Sequence, residues 1–318
     1  MRVLLCPASL KGVLSAREAA AALAGGARAV GAETVELPIA DGGEGTADAL
    51  HAALGGEVLD AIVSDPLGRP VSAPWVVLSD GRAVVEAASA IGLPLLAESE
   101  RDPLIASSRG LGELVLAALR EGAQGLVVGL GGTATVDGGA GLREVLHRLP
   151  TPTTVLCDVR TELAGAARVF GPQKGASPQD VVVLERRLAA IAELAPYAAL
   201  PGSGAAGGLG AAFAALGADL VPGAPAVLDL VGFDVQLEGC QLVITGEGQV
   251  DRTTAEGKAP GIVAARCARL GVRCVVFGGR VVHELPSVET IPLSGDPSRA
   301  LEDLQALGRR LGLLGAHA

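Results

Sequence analysis

Short apolar runs alternate with helix-length segments along almost the whole chain. This alternation is typical of α/β proteins with mostly parallel sheets. The ligands of such sheets bind beyond the carboxyl ends of the strands, so the loops at those ends are the places to search for chemistry. Strands are predicted at 2–7, 34–40, 57–63, 74–79, 82–87, 125–130, 153–159, 241–246 and 272–278. Helices are predicted at 16–30, 45–54, 108–121, 140–149, 178–195, 205–216, 259–270 and 298–313.

The composition excludes several classes of function. The 318 residues suffice for one large or two ordinary domains, and the 49% of hydrophobic residues supply a sizeable core. A net charge of −10 argues against partners such as nucleic acid or an anionic membrane, because both require a basic surface. Five scattered cysteines without a CxxC pair fit neither a disulfide framework nor a structural zinc site. We therefore expect a cytoplasmic protein without nucleic-acid or membrane partners.

The apolar segment 194–218 carries no charge, but glycines and prolines interrupt it, so a membrane span is not expected there. It fits a buried helix better than an interface between copies of the chain. A homo-oligomer is thus neither predicted nor excluded.

Three loops rich in glycine and acidic residues follow predicted strands, at 40–46, 129–139 and 245–251. Backbone N–H groups in such loops can hold phosphate oxygens. Their carboxylates can hold Mg²⁺ or take a proton from a hydroxyl group. One loop of this kind is most simply an ordinary turn, whereas three at strand ends indicate a site that handles phosphate.

The lysines give a sharper signal. The chain has 22 arginines but only three lysines, so arginine supplies most of its positive charge. The lysines, Lys11, Lys174 and Lys258, all lie in predicted loops or at helix starts. A compact ammonium group beside glycines is a familiar holder of phosphate. Together with the acidic loops, the lysines indicate phosphoryl transfer.

The presence or absence of known sequence motifs limits which enzyme classes fit the chain. The chain contains no GxxxxGK[ST] run, which excludes a P-loop kinase, and no HRD or DFG set. Gly129, Gly131 and Ala134 approximate a dinucleotide fingerprint after a predicted strand, with Asp158 as its acidic partner at a longer spacing than usual. An NAD-dependent oxidoreductase acting on a small hydroxy acid therefore remains an alternative.

Seven runs are spread over nearly the whole chain: CPASLKGVLSA, LPIADGGEGT, SRGLGEL, VGLGGTATVDGGAG, FGPQKGA, PGSGAAGGLGAA and LVITGEGQVDRTTAEGKAP. By these runs and their order the sequence resembles the glycerate kinase type 1 family. The resemblance implies an ATP-dependent kinase that phosphorylates D-glycerate with Mg²⁺, usually to 2-phosphoglycerate.

The resemblance also implies two α/β domains with mostly parallel sheets, one inserted into the other. We place a Rossmann-like domain at 1–80 plus 271–318. The inserted, flavodoxin-like domain is placed at 81–270, and it is shortened relative to the family around 143–156.

Phosphoryl transfer requires in-line positioning and charge neutralisation, and glycerate requires a cation and acceptors for its hydroxyl groups. The predicted catalytic residues are Asp41, Asp137, Asp251 and Lys174. The predicted substrate-binding residues are Ser9, Lys11, Glu44 and Lys258. A phosphate cradle is predicted at Gly131, Gly132 and Thr133, and Mg²⁺ ligands at Asp137 and Glu247. The sequence does not decide which aspartate is the general base.

Two features depart from the family's pattern. Ala8 stands where the family has an aspartate, in the run Pro7-Ala8-Ser9, and a few dozen residues are missing between Arg143 and Leu156. These departures motivate a second alternative, a catalytically impaired homologue that binds glycerate or ATP. The retained lysines and acidic loops favour an active enzyme.

Overall fold

A computed structural model describes residues 1–313 as a mixed α/β chain with two sheets. The strands are β1 Arg2–Pro7, β2 Glu33–Glu36, β3 Gly56–Ser64, β4 Pro70–Leu78, β5 Arg82–Glu86, β6 Gly125–Gly129, β7 Thr153–Cys157, β8 Asp219–Pro222, β9 Leu242–Val250, β10 Arg273–Val281 and β11 Glu289–Pro292. The helices are α1 Ala16–Arg28, α2 Thr46–Leu54, α3 Ala87–Ile91, α4 Arg109–Arg120, α5 Ala140–Val145, α6 Ala166–Phe170, α7 Pro178–Ala189, α8 Ala205–Ala215, α9 Gly223–Leu230, α10 Phe233–Gln236, α11 Arg252–Ala255, α12 Ala259–Leu270 and α13 Ala300–Leu313. Short 3₁₀ turns occur at Leu93–Leu95, Glu98–Glu100, Leu163–Gly165, Pro172–Lys174, Ala192–Tyr197 and Pro297–Arg299.

The chain divides into two compact units. The first comprises Met1–Asp41, Asp48–Leu54 and the chain from Ala224 onward, and the second comprises Gly42–Ala47 and Gly55–Gly223. The predicted fold class, two α/β domains with mostly parallel sheets, is confirmed.

The first unit contains a parallel sheet in the order β11-β10-β9-β1-β2. Numbered along the chain within this unit, the order is 2-1-3-4-5, which is the flavodoxin-like one. The flavodoxin-like order was predicted for the other domain. The interior strand β1 is almost fully buried and pairs with both β2 and β9. The core of this unit consists of apolar residues from β1, β9 and β10 and from the facing sides of α1 and α13.

The second unit contains a sheet in the order β3-β4-β5-β6-β7-β8. Strands β3, β4 and β5 pair antiparallel, and β5 to β8 pair parallel. Its main core includes Trp75, Leu111 and Phe213, all buried. Helix α5 is joined to β7 by the short connection 146–152.

The domain boundaries require correction. The ranges 1–80 plus 271–318 and 81–270 assign β3 and β4 to the first domain, but these strands continue the sheet of β5 in the second. They also assign β9 and α12 to the second domain, but β9 pairs with β1 and β10 in the first. The reason is that backbone pairing between distant segments, which leaves no local sequence signal, decides where each strand belongs.

Helix starts follow the local chemistry of the sequence. Ser15 accepts a hydrogen bond from the Glu18 backbone N–H, and the Glu18 side chain accepts one from the Ser15 N–H, which forms a capping box at the start of α1. Ser177 and Asp180 form a second box at the start of α7. These reciprocal bonds satisfy N–H groups that have no partner inside the helix.

The apolar segment around α8 lies in the interior, as a buried helix would. Residues from Ala205 to Ala214 are buried, but Ala206, Gly207 and Gly208 have positive φ and break the helical path. Within residues 1–313 no helix is both long and apolar enough to cross a membrane.

Candidate functional site

Six of the predicted site residues lie in the first unit, beside the carboxyl ends of β1 and β9. Ser9 and Lys11 follow β1, where the Ala8 N–H donates to the Gly246 carbonyl at 2.8 Å. Lys11 is exposed, and a Cβ on Gly248 would lie 3.5 Å from its backbone nitrogen. The segment leading to Asp41 runs along the same strand, because the Ile39 N–H donates to the Pro7 carbonyl at 3.0 Å.

Glu247, Asp251 and Lys258 form one charged cluster. The Lys258 Nζ lies 3.5 Å from both the Glu247 Oε2 and the Asp251 Oδ1. Glu247 was expected in a loop, but β9 extends through it to Val250, where it is paired with β10. The extension is sterically allowed because Gly246 has no side chain, whose Cβ would otherwise lie 2.2 Å from the Phe277 carbonyl oxygen.

The buried hydroxyl of Thr254 forms hydrogen bonds with both acidic residues of this cluster. It donates to the Glu247 Oε1 at 2.6 Å and accepts from the Asp251 N–H at 3.0 Å. Thr254 was not predicted as a site residue, although Asp251 followed three positions later by Thr254 is a capping pattern that could have shown it.

The two carboxyl groups of the cluster differ in acidity. Burial raises the pKa of Glu247, against opposing contacts from Thr254 and Lys258. The hydroxyl of Thr253 donates to Asp251 and, with Gln249 and Lys258, lowers the pKa of Asp251 to about 2. Glu247 is therefore the better proton acceptor, and Asp251 remains ionised at neutral pH.

The other six predicted residues lie in the second unit, where the glycine loops after β6 and at 42–47 pack together. The Gly131 N–H donates to the Gly42 carbonyl at 3.4 Å, and a Cβ on Gly131 would lie 2.5 Å from the Cα of Gly43. Only glycine permits such an approach of two backbones. Gly132 and Glu44 are exposed on these loops, whereas Thr133 is buried.

Lys174 is buried beneath the loop after β6, with only 3% of its surface exposed. Its ammonium group donates to the Thr133 hydroxyl at 3.0 Å and to the Thr135 carbonyl at 2.8 Å. Burial lowers the pKa of Lys174 to about 7, although the nearby Asp137 and Asp158 oppose this shift. The predicted cradle residue Thr133 and Lys174 are thus in direct contact.

Asp137 lies at the far end of the same loop and accepts four hydrogen bonds. Its Oδ2 accepts from the Ser108 N–H, the Ser108 hydroxyl and the Gly141 N–H at 2.9, 2.7 and 3.1 Å, and its Oδ1 accepts from the Gly139 N–H at 3.0 Å. Four bonds match the acceptor capacity of a carboxylate. The contacts favour a structural role for Asp137, which joins the loop to the start of α4, over proton transfer or metal binding.

Glu86 is a further charged residue of this region that the sequence did not indicate. It ends β5, and its Oε1 accepts from the Ala47 N–H at 2.7 Å. Burial raises its pKa to about 7. Glutamates at strand ends are common, so no local signal distinguishes this one.

Among residues 1–313 no group of three or more His, Cys, Asp or Glu side chains is placed to hold a metal ion. Mg²⁺ usually binds through one or two carboxylates together with the phosphates of the substrate. Glu247 and Asp251 are two neighbouring carboxylates, both 3.5 Å from the Lys258 ammonium group.

The structure does not have the strand–helix arrangement that the alternative function, an NAD-dependent oxidoreductase, requires. Its fingerprint requires a helix that begins within the glycine run. The chain instead continues from β6 through an extended loop, in which Thr133 bridges to Gly92, and α5 begins only at Ala140.

Comparison with known proteins agrees with the motifs. The profile of the glycerate kinase family matches residues 3–147 and 143–294. Glycerate 2-kinase of Escherichia coli (strain K12) is 40% identical over 305 residues, covering 82% of this chain and 80% of that protein. Glycerate kinase of Bacillus subtilis (strain 168) is 38% identical over 333 residues, covering 91% and 87%.

A solved structure agrees as well. The crystal structure of a protein provisionally assigned as glycerate kinase 2 from Salmonella typhimurium LT2 superposes with a TM-score of 0.87 at 33% identity. The alignment covers 100% of this chain and 98% of that one. Sequence profile, relatives and structure therefore place the chain in the glycerate kinase family.

Proposed function

We propose that this protein transfers the γ-phosphoryl group of ATP to D-glycerate and releases 2-phosphoglycerate and ADP. The observation that carries the proposal is the contact of buried Lys174 with the glycine loop at the carboxyl end of β6. Membership of the glycerate kinase family supports it, as does the relative from E. coli that is named glycerate 2-kinase.

The second unit supplies the phosphate-handling groups in this scheme. The glycine backbone at Gly131 and Gly132 cradles phosphate oxygens, and Thr133 and Lys174 stabilise the charge that develops during transfer. Asp137 keeps this loop in shape through its four hydrogen bonds.

The remaining groups bind and activate glycerate. Lys11 and Ser9 are suited to its carboxylate, and Asp41 and Glu44 to its hydroxyl groups. We assign proton acceptance from the attacking hydroxyl to Glu247, whose raised pKa makes it a stronger base than Asp251. Lys258 keeps both carboxylates in place.

Mg²⁺ would be held by Asp251, whose carboxylate stays ionised, and when bound it would supply charge neutralisation on the nucleotide phosphates. The proposed compartment is the cytoplasm, because all five cysteines are free thiols, as expected in a reducing environment.

The direct test is an ADP-release assay with Mg·ATP and D-glycerate, with L-glycerate, glycolate and D-lactate as controls. Turnover with D-glycerate alone supports the proposal, and ³¹P NMR of the product distinguishes 2-phosphoglycerate from 3-phosphoglycerate. A thermal shift with ATP or D-glycerate but no turnover would instead support the impaired homologue, and Ala8→Asp would then be the next variant.

The proposed base is tested by substitution in the same assay. Glu247→Gln should lower kcat by about 10²–10⁴, the usual contribution of general base catalysis. Asp251→Asn should lower it less. Unchanged kcat in Glu247→Gln, Asp41→Ala, Asp137→Ala and Asp251→Ala alike would contradict the scheme.

A further inference from the structure

Glu86 makes contacts that belong to one short segment of the second unit. It is the last residue of β5 and the register partner of Gly129, the last residue of β6. Its Oε1 accepts from the Ala47 N–H at 2.7 Å, and the backbone N–H groups of Gly45 and Thr46 favour its charged form. The side chain is thus surrounded by the first N–H groups of α2.

The glycine-rich segment 42–47 needs a contact that holds its backbone in one conformation. Gly42 and Gly45 both have positive φ, at 94° and 89°, which glycine adopts readily among many other conformations. The loop contacts the strand ends through its backbone, because a Cβ on Gly129 would lie 2.8 Å from the Gly42 carbonyl oxygen. A carboxylate that accepts the Ala47 N–H, with the N–H groups of Gly45 and Thr46 favouring its charge, selects one of these conformations.

We propose that Glu86 is a positioning residue for glycerate phosphorylation, because its carboxylate fixes loop 42–47 and thereby places Glu44 for the substrate. The inference rests on the proposed function. Glu86 acts through the loop: its half-buried side chain lies against the backbone that it binds, whereas the Glu44 side chain is exposed.

Burial and the like charge of Glu44 both disfavour ionised Glu86, while the three N–H groups favour it. A half-buried carboxylate is therefore kept here at an energetic cost. This cost is expected where a residue serves the site more than the stability of the fold.

The test compares Glu86→Gln with Glu57→Gln, a matched change at an exposed residue of β3. Glutamine keeps the size of the side chain but replaces one acceptor with an NH₂ donor that faces the loop N–H groups. We expect the KM for D-glycerate to rise about 10-fold in Glu86→Gln, the contribution of one hydrogen bond to a charged group. The KM for ATP of Glu86→Gln should stay within about twofold of wild type. Both KM values of Glu57→Gln should also stay within about twofold of wild type.

Hydrogen exchange provides a second readout that needs no activity. The amides of Gly45, Thr46 and Ala47 should exchange at least 10-fold faster in Glu86→Gln than in wild type, by the same reasoning. If Glu86→Gln does not fold, Glu86→Asp, which keeps the charge but has a shorter reach, should show intermediate exchange and KM.

Wild-type exchange or wild-type KM for D-glycerate in a folded Glu86→Gln would overturn the inference. Inactive wild-type protein would instead contradict the proposed function, and the exchange measurement would still decide whether Glu86 anchors the loop.

Discussion

At the scale of single residues, Lys174 shows how burial tunes a charge. Three per cent of the residue is exposed, and its two observed hydrogen bonds are to uncharged oxygens. Neutral partners only partly replace the lost hydration of an ammonium ion, so the pKa falls to about 7. The charged form, which the proposed mechanism requires, is therefore the main one only below about pH 7.

A pH dependence follows from this shift. Protonated Lys174 is lost as the pH rises through about 7, so kcat/KM should fall on that side of the profile. Lys174→Arg keeps its charge throughout the accessible range and should flatten this alkaline limb, even if its overall rate is lower. The measurement is kcat/KM for ATP from pH 5.5 to 9 in both proteins. An identical alkaline limb in both would contradict the role of Lys174.

The residue scale also shows what one sequence can reveal about a site. Lys174 and Thr133 were both predicted, and they are in contact. Asp137 looked equally suited to catalysis, but it accepts four hydrogen bonds from Ser108 and the backbone, three of them at Oδ2. The occupancy of a carboxylate depends on partners distant in the chain, such as Ser108, so the sequence could not show it.

At the scale of elements, α1 and α13 pack closely because glycines line their contact. A Cβ on Gly26 would lie 1.9 Å from the Gln305 carbonyl oxygen, and one on Gly308 would lie 2.1 Å from the Leu23 carbonyl oxygen. These neighbours are backbone atoms, which cannot move aside without shifting a helix.

Adjacent glycines of α1 provide a matched prediction. Gly26→Ala should lower the free energy of unfolding by roughly 1–3 kcal/mol, because it overpacks the contact with α13. Gly25 is exposed with no atom within 4 Å of its would-be Cβ, so Gly25→Ala should raise it by about 0.5–1 kcal/mol through helix propensity. Urea unfolding of both variants measures these changes. Equal effects would show that the close approach does not limit stability.

The elements that the sequence missed are mostly short. Helices α3, α6, α10 and α11 and strands β8 and β11 have four or five residues each, too few for a hydrophobic period to appear. The helix predicted at 178–195 ends at Ala189 and is followed by a 3₁₀ segment that contains Pro196. Longer amphipathic helices such as α1, α4 and α12 were predicted nearly to the residue.

At the scale of the whole molecule, each unit has a core of its own. The main core cluster of the second unit lies entirely between Val63 and Phe213, and its sheet uses only strands from β3 to β8. We expect a fragment of residues 42–223 to fold and to unfold cooperatively.

A fragment of residues 1–54 provides the contrast. It keeps β1 and β2 but loses β9, the other neighbour of β1, and a two-stranded pair is at best marginally stable. Circular dichroism and ¹H–¹⁵N spectra of both fragments measure the difference. An unfolded 42–223 fragment would show that its core depends on the rest of the chain.

The sequence by itself determined the α/β class, most strands and helices, and the two glycine loops at 40–46 and 129–139. These features depend on side-chain period and turn chemistry, which act over a few neighbouring residues. Only the tertiary structure decided the strand order, the limits of the two units, the burial of Lys174 and the anchoring of loop 42–47 by Glu86. These depend on contacts between distant segments, such as the Thr245 hydroxyl donating to the Cys6 carbonyl across 239 positions, which no local pattern encodes.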